Sequence, residues 1–189
     1  MFNGLMDDLR IYKKALTDDE IRKAYEAVLK EHNGTIPGID YDQIKIDPEL
    51  YAGDRYRPQY HAIPPGHWMN EPHAPLYYNG KYHLFYQHNP FGPFWHQIHW
   101  GHWVSRDLVH WRDLPPALGP EEGDLDPDGI WSGSASYDEN GLPVLFYTAA
   151  NNRCIPNQRV AMAFSNFMED GDNDFVHWRK HPESIVHRP

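Results

Sequence analysis

The sequence predicts an all-β fold: a partial β-propeller of about two blades behind a short strand-helix remnant. Three observations carry this. First, text recurs along the chain. Asp107-Leu108-Val109-His110-Trp111-Arg112 returns 67 residues later as Asp174-Phe175-Val176-His177-Trp178-Arg179. Asn79-Gly80 and Leu84-Phe85-Tyr86 return 61 residues on as Asn140-Gly141 and Leu145-Phe146-Tyr147. Val104-Ser105 is matched by Phe164-Ser165. Second, Tyr82, Leu84 and Tyr86 alternate with His83, Phe85 and Gln87, which is the period of a strand. Third, both Asn-Gly pairs sit where a two-residue type I′ hairpin turn fits. Each copy then reads as a four-stranded antiparallel sheet. Sheets repeating at this spacing are propeller blades more readily than anything else. Two blades do not close a ring, so both ends of the chain read as cut from a longer protein.

The elements before the repeat follow from local chemistry. Phe2 to Tyr12 reads as a strand, with Leu5, Leu9 and Ile11 apolar. Thr17-Asp18-Asp19-Glu20 is a capping box, Thr17 capping and Glu20 reaching back. A helix follows to about Leu29, with Ile21, Ala24, Tyr25 and Val28 on one face. One strand and one helix cannot bury enough surface to fold alone. Residues 31–55 carry 2 basic and 6 acidic side chains among several glycines and prolines, and read as an acidic linker. Residues 56–189 hold all seven Trp and twelve of the thirteen His, so the chemistry is sought there.

Composition narrows the function. The 189 residues include 17 basic and 27 acidic side chains, a net charge of -10. That repels phosphate backbones and anionic membranes, which argues against nucleic acid as a partner. The single Cys154 can form neither an internal disulfide nor a cysteine-rich zinc site. No apolar run is long enough for a membrane span, and Met1-Phe2-Asn3-Gly4 has no signal-peptide n-region. Aromatic residues are 14% of the chain, enough to fill a core and also to build flat ligand platforms.

The repeat also points to a site. Propeller ligands sit at the central channel, which the innermost strand of each blade lines. The first strand of each copy is the candidate, starting at Trp68-Met69-Asn70-Glu71-Pro72-His73 and at Trp131-Ser132-Gly133-Ser134. Pro72 cannot donate to a ladder and favours a strand edge. A carboxylate beside it is either a catalytic group or a turn anchor. Gln87 and Ser132 are polar residues at strand ends, which bind a ligand or cap their own backbone. Trp95 is a stacking platform or an ordinary packed loop aromatic.

Two metal patterns are weighed here. His96, His99 and His102 are evenly spaced, but on a strand His99 and His102 point to opposite faces, and Trp100 and Trp103 suggest packing. Asp124-Leu125-Asp126-Pro127-Asp128-Gly129 resembles the start of a calcium loop, but the closing Glu would fall at Ala135. It is read as an acidic turn entering the second blade. No metal and no cofactor is assigned.

Taken in order, several segments resemble glycoside hydrolase family 32, the family of invertases, levanases and inulinases. They are Arg57-Pro58-Gln59-Tyr60-His61, Trp68-Met69-Asn70-Glu71-Pro72, Gly80-Lys81-Tyr82-His83-Leu84-Phe85-Tyr86-Gln87, Asn89-Pro90, His99-Trp100-Gly101-His102, Ser105-Arg106-Asp107-Leu108-Val109-His110-Trp111 and Trp131-Ser132-Gly133-Ser134-Ala135. The resemblance runs from about residue 56 to the end. It implies a five-bladed propeller and retaining attack on β-fructofuranosyl bonds of sucrose, levan or inulin type. The family's nucleophile is the Asp of Trp-Met-Asn-Asp-Pro-Asn-Gly. Here Glu71 stands in that position, with His73 and Ala74 replacing the Asn and Gly. The resemblance further implies that Asn70, Gln87, Trp95, Trp131 and Ser132 bind the sugar. The family's Arg-Asp-Pro and Glu-Cys motifs, which carry the transition-state-stabilising Asp and the general acid/base, do not occur in this chain. The 189 residues alone are therefore expected to be inactive. The Glu71 and His73 departures leave open a related glycosidase with another substrate, or a carbohydrate-binding propeller without catalysis.

A second resemblance concerns residues 1–30. Phe2 to Tyr12 and Ala15 to Ile21 are similar to the last strand and trailing helix of laminin-G-like (concanavalin-A-like) β-sandwiches. It implies a neighbouring carbohydrate-binding module and a secreted or surface-held protein.

Overall fold

The computed structural model describes residues 9–34, 45–58, 60–121 and 123–186. The chain divides into two compact units, residues 1–45 and 46–189.

In the first unit the expected helix is α1, Asp18–Glu31. Its capping box is complete: the Glu20 amide donates to Thr17 Oγ1 at 3.3 Å, and the Thr17 amide donates to Glu20 Oε2 at 2.9 Å. Asp18, Asp19 and Glu20 place negative charge in the first turn, where the helix dipole favours it. The strand expected from Phe2 to Tyr12 is not found over its described part. Leu9 to Tyr12 take no strand, and Ile11 is 90% exposed. Residues 2 to 8 lie outside the described residues.

The second unit begins with a 3-10 turn, Pro48–Tyr51, capped by Asp47. Two antiparallel sheets follow. The first runs β1 (Trp68–Tyr78), β2 (Lys81–Asn89), β3 (His99–Ser105) and β4 (Trp111–Leu118), paired in that order. The second runs β5 (Gly129–Tyr137), β6 (Pro143–Ala150), β7 (Gln158–Ser165) and β8 (Trp178–Lys180), again in order. A short helix α2, Phe167–Asp170, joins β7 to β8. These are the two blades of a partial propeller that the repeat implied.

The first Asn-Gly pair makes the expected type I′ turn, with φ of +50° at Asn79 and +79° at Gly80. The second does not. Only Gly141 has positive φ, and the loop runs from Asp138 to Leu142. Asp138 is the reason: its Oδ1 accepts the amides of Asn140 and Leu142, both at 2.8 Å, and folds a wider turn. The Asp-x-Val-His-Trp text is likewise a turn. Leu108 and Phe175 both have positive φ, and the indole N–H of Trp111 or Trp178 donates to the carbonyl of that residue. In blade one Asp107 accepts the amides of Val109 and His110. In blade two the equivalent Asp174 instead binds Lys81 and Arg112 of blade one.

The core lies between the blades. Phe85 and Trp100 of the first sheet face Leu145, Ala149, Ala161 and Ala163 of the second. Large side chains on one face meet small ones on the other, which lets the layers interdigitate. The blades also join directly. The Ile130 amide of β5 donates to the carbonyl of Ile98, just before β3, at 2.8 Å, and Tyr137 Oη of β5 bonds both the amide and carbonyl of Tyr77 on β1.

The acidic turn entering blade two holds a lysine. Lys180 of β8 donates to Asp126 Oδ1 at 2.8 Å and to the Gly119 carbonyl at 2.7 Å, with Glu121 at 3.3 Å. Asp126 is fully buried and also accepts from Tyr147 Oη at 2.8 Å. Burial raises the Asp126 pKa, against the pull of Lys180. Removing the ammonium leaves a buried carboxylate without its cation. Lys180→Ala is therefore expected to cost about 3–5 kcal/mol in urea unfolding at pH 7. A loss below about 1 kcal/mol, the range of exposed pairs, would show the pair to be a surface one.

Two of the three histidines resolve into packing, and His96 is exposed. His99 Nδ1 donates to the Gln97 carbonyl at 2.7 Å and lies edge-on to Phe91, while His102 stacks on Phe85 with centroids 4.3 Å apart. Among the described residues no three His, Cys, Asp or Glu side chains are grouped to hold a metal ion.

Candidate active site

The site forms where β1 and β5 begin, and a bulge in each strand shapes it. On β1, Met69 pairs with His88 and Pro72 with Tyr86, so Asn70 and Glu71 together oppose the single residue Gln87. A bulge of this kind re-aims side chains and is favoured beside functional sites. Pro72, which has no amide hydrogen, follows directly. On β5, Trp131 pairs with Thr148 and Gly133 with Tyr147, which leaves Ser132 extruded. Gly133 is required for that turn of the backbone. A Cβ there would lie 2.0 Å from the Phe146 carbonyl oxygen.

The two bulges bring four polar side chains together. Ser132 Oγ donates to Glu71 Oε1 at 2.6 Å. Gln87 Nε2 donates to the same oxygen at 2.8 Å and to Ser132 Oγ at 2.8 Å. Asn70 Nδ2 donates to Glu71 Oε2 at 2.7 Å and to Gln87 Oε1 at 2.9 Å. Trp68 Nε1 donates to Asn70 Oδ1 at 2.9 Å and closes the network. The carboxylate thus has three donors, two on Oε1 and one on Oε2, drawn from both blades.

Burial pushes the Glu71 pKa up, but the hydrogen bonds from Ser132 and Asn70 and the nearby His73 outweigh it. The net result is below the ordinary glutamate range. Glu71 is therefore an anion at neutral pH, and the amide and hydroxyl protons that hold it fix its direction. His73 is in the opposite condition. Burial lowers it to about 4 despite the Glu71 charge, so it is neutral where Glu71 is ionised.

Two aromatics meet beside Ser132, since Trp131 directly precedes it on β5. Trp95 and Trp131 have ring centroids 5.8 Å apart at 48°, and Trp95 is half exposed. The loop that carries Trp95 is pinned by Asn89, whose Nδ2 donates to the Phe94 carbonyl at 2.8 Å and whose Oδ1 accepts the Phe91 amide at 2.9 Å. The structure therefore brings Asn70, Glu71, Gln87 and Ser132 into one hydrogen-bonded group, and sets Trp95 against Trp131 beside it. It also adds Trp68, His73 and Trp100, which the sequence reading did not assign. Trp68 is two residues before Asn70, and that spacing was the available signal.

The profile of the glycosyl hydrolases family 32 N-terminal domain matches residues 61–189. The chain belongs to glycoside hydrolase family 32. It is 41% identical over 130 residues to an acid beta-fructofuranosidase of Phaseolus vulgaris, covering 69% of this chain and 19% of that protein. It is 42% identical over 135 residues to an insoluble-isoenzyme beta-fructofuranosidase of Arabidopsis thaliana, covering 69% of this chain and 23% of that one. Among solved structures, fructan 1-exohydrolase IIa from Cichorium intybus superposes with a TM-score of 0.64 at 37% identity, over 72% of this chain and 25% of the other. Sucrose-6-phosphate hydrolase from Lactobacillus gasseri gives 0.63 at 34% identity, over 80% and 30%. The chain thus spans roughly a fifth of the curated relatives' length. Ala74 holds φ of +50°, the left-handed region in which a glycine would cost least.

Proposed function

We propose that this chain is the first part of the catalytic propeller of a retaining β-fructofuranosyl hydrolase, with Glu71 as its nucleophile. The observation that supports the reading best is the Glu71 carboxylate itself. It is anionic, fixed by three donors, and placed on a bulge where two blades meet. Oε2 has one donor against two on Oε1, so Oε2 keeps the lone pair for attack. That oxygen bonds to the anomeric carbon of the fructosyl unit while the bond to the leaving oxygen breaks. A second carboxylic acid protonates the leaving oxygen, and water later releases the sugar. Trp95 and Trp131 wall the sugar, and Asn70, Gln87 and Ser132 present polar atoms to its hydroxyls as well as to Glu71.

The substrate class is sucrose or a fructan, as the names of the relatives suggest. An insoluble plant isoenzyme among those relatives favours a secreted protein. No helix among the described residues is long and apolar enough to cross a membrane. Residues 1–30 are read as the end of a laminin-G-like module and 31–55 as its linker. The Glu71 and His73 departures favour a second reading, a related glycosidase with a changed sugar, which a substrate panel separates from the first.

The general acid and the transition-state-stabilising Asp are not supplied by this chain's motifs. The purified 189-residue chain is expected to release no fructose from sucrose, inulin or levan above the uncatalysed rate. The complete protein is expected to release it. Turnover by the 189 residues would overthrow the assignment of roles, because a retaining enzyme needs both carboxyls.

A further inference from the structure

We propose that His73 is a positioning residue for Glu71, acting through Trp100 and Trp131 on the Ser132 hydroxyl. The inference rests on reading Glu71 as the nucleophile. Its basis is a closed mechanical loop. Glu71, Pro72 and His73 are consecutive on β1. The His73 ring lies against the ring of Trp100, centroids 4.2 Å apart at 54°. Trp100 is fully buried, and its Nε1 donates to the Trp131 carbonyl at 2.9 Å. The next residue is Ser132, whose hydroxyl returns to Glu71 Oε1 at 2.6 Å. One ring stack and one indole hydrogen bond therefore set the distance between the two bulges.

The chemistry of the ring fits a packing plate. Both His73 nitrogens are buried and neither makes a hydrogen bond of good geometry, although the Glu71 backbone lies near enough to favour the charged ring. Register leaves the ring no freedom to leave Trp100, because His73 pairs with the buried Phe85 and the next residue, Ala74, is buried too. His73 is also the ionisable group facing Glu71 from its own strand. Gln87 from β2 and Ser132 from β5 are neutral, so the Glu71 charge answers to the hydrogen bonds that this loop holds in place.

The test compares the complete protein with its His73→Ala, His73→Phe and Leu76→Ala variants. Leu76 is a buried blade-interface residue outside the loop, and its truncation controls for lost stability alone. His73→Ala is expected to lower kcat about 10- to 100-fold, the scale of an ångström-level misplacement, with KM changed little. Its acid limb of kcat/KM is expected to move up in pH as the Ser132 bond to Glu71 weakens. His73→Phe is expected to restore both. Failure of Phe to rescue, or an equal acid-limb shift in Leu76→Ala, overturns the proposal. The Glu71 carboxyl carbon shift, read by NMR at pH 7 in the same variants of the 189-residue chain, needs neither turnover nor acid. A shift changed in His73→Ala and restored in His73→Phe is the expected result. An unchanged shift overturns the positioning role even where no fructose-releasing activity is found.

Discussion

Glu71→Asp is expected to lower kcat by about 10²-fold, although Asp is the family's usual residue at this position. The reason is the cradle. Ser132, Gln87 and Asn70 reach Glu71 at 2.6 to 2.8 Å, and each is fixed in turn by a strand, a bulge or another hydrogen bond. Removing one methylene withdraws the carboxylate by roughly 1.5 Å. At that distance the two Oε1 contacts no longer qualify as hydrogen bonds. The shortened anion regains an ordinary carboxylate environment and points away from the sugar. Glu71→Gln keeps length and shape but removes the nucleophile, and is expected to cost about 10⁴-fold or more. Steady-state kcat on sucrose and on inulin, with thermal melts to confirm folding, reads both. An Asp variant as fast as wild type would show that the cradle is not set to the length of glutamate. A fully active Gln variant would remove Glu71 from the role of nucleophile.

The blades were legible in the sequence because a repeat records itself. The Asp-x-Val-His-Trp text recurs as the lead-in to each blade's last strand, and the structure folds it into a turn twice, with the same positive φ at Leu108 and Phe175. Glu71, Gln87 and Ser132 were legible as polar residues at strand ends. Their meeting was not, because it depends on two bulges, and a bulge is a difference in pairing between two strands rather than a pattern in one. The second Asn-Gly turn was misread for a similar reason. Asp138, two residues earlier, competes for the backbone amides and wins. The grip of Lys180 on Asp126 spans 54 residues, and the grip of Lys81 on Asp174 spans 93. No local pattern contains such pairs. Gln87 shows how role follows geometry. The resemblance implied that it binds the sugar, and the structure adds that its Nε2 donates to Glu71 and Ser132 while its oxygen accepts from Asn70.

The buried histidines set a limit on the pH range of the fold. Acidification from pH 6.5 to 4.5 is expected to unfold this chain, well before its carboxylates are protonated. Burial lowers His73, His83, His88 and His99 each to about 4, and lowers the fully buried His102 well below its ordinary value. His83 Nδ1 and His102 Nε2 lie 3.0 Å apart, so one must be a donor and the other an acceptor, which requires at least one neutral ring. Around the pair, Asp174 and Asp172 favour protonation while Lys81 and Arg112 oppose it, and burial outweighs them all. The sign follows from proton counting. Unfolded histidines titrate near 6.5, whereas these titrate lower when folded, so the unfolded state binds more protons in between. Their stability contribution is complete above pH 6.5 and disappears as pH falls toward 4. Each such group removes about 1.4 kcal/mol per pH unit in that window. At pH 5 His83 alone would remove roughly 2 kcal/mol, and the other buried rings act in the same direction, against the 5–15 kcal/mol typical of a domain. The seven tryptophans make intrinsic fluorescence a convenient reading of urea midpoints at each pH. His83→Leu combined with His102→Leu replaces the two rings by apolar groups of similar volume and takes both protonation sites away. That double variant is expected to make the pH dependence shallower, with His73, His88 and His99 accounting for what remains, while keeping the stability near pH 7. Stability that stays level from pH 6.5 to 4.5 in the wild-type chain would mean that these rings accept protons in the folded state, and that the blade interface is wetter than its packing implies.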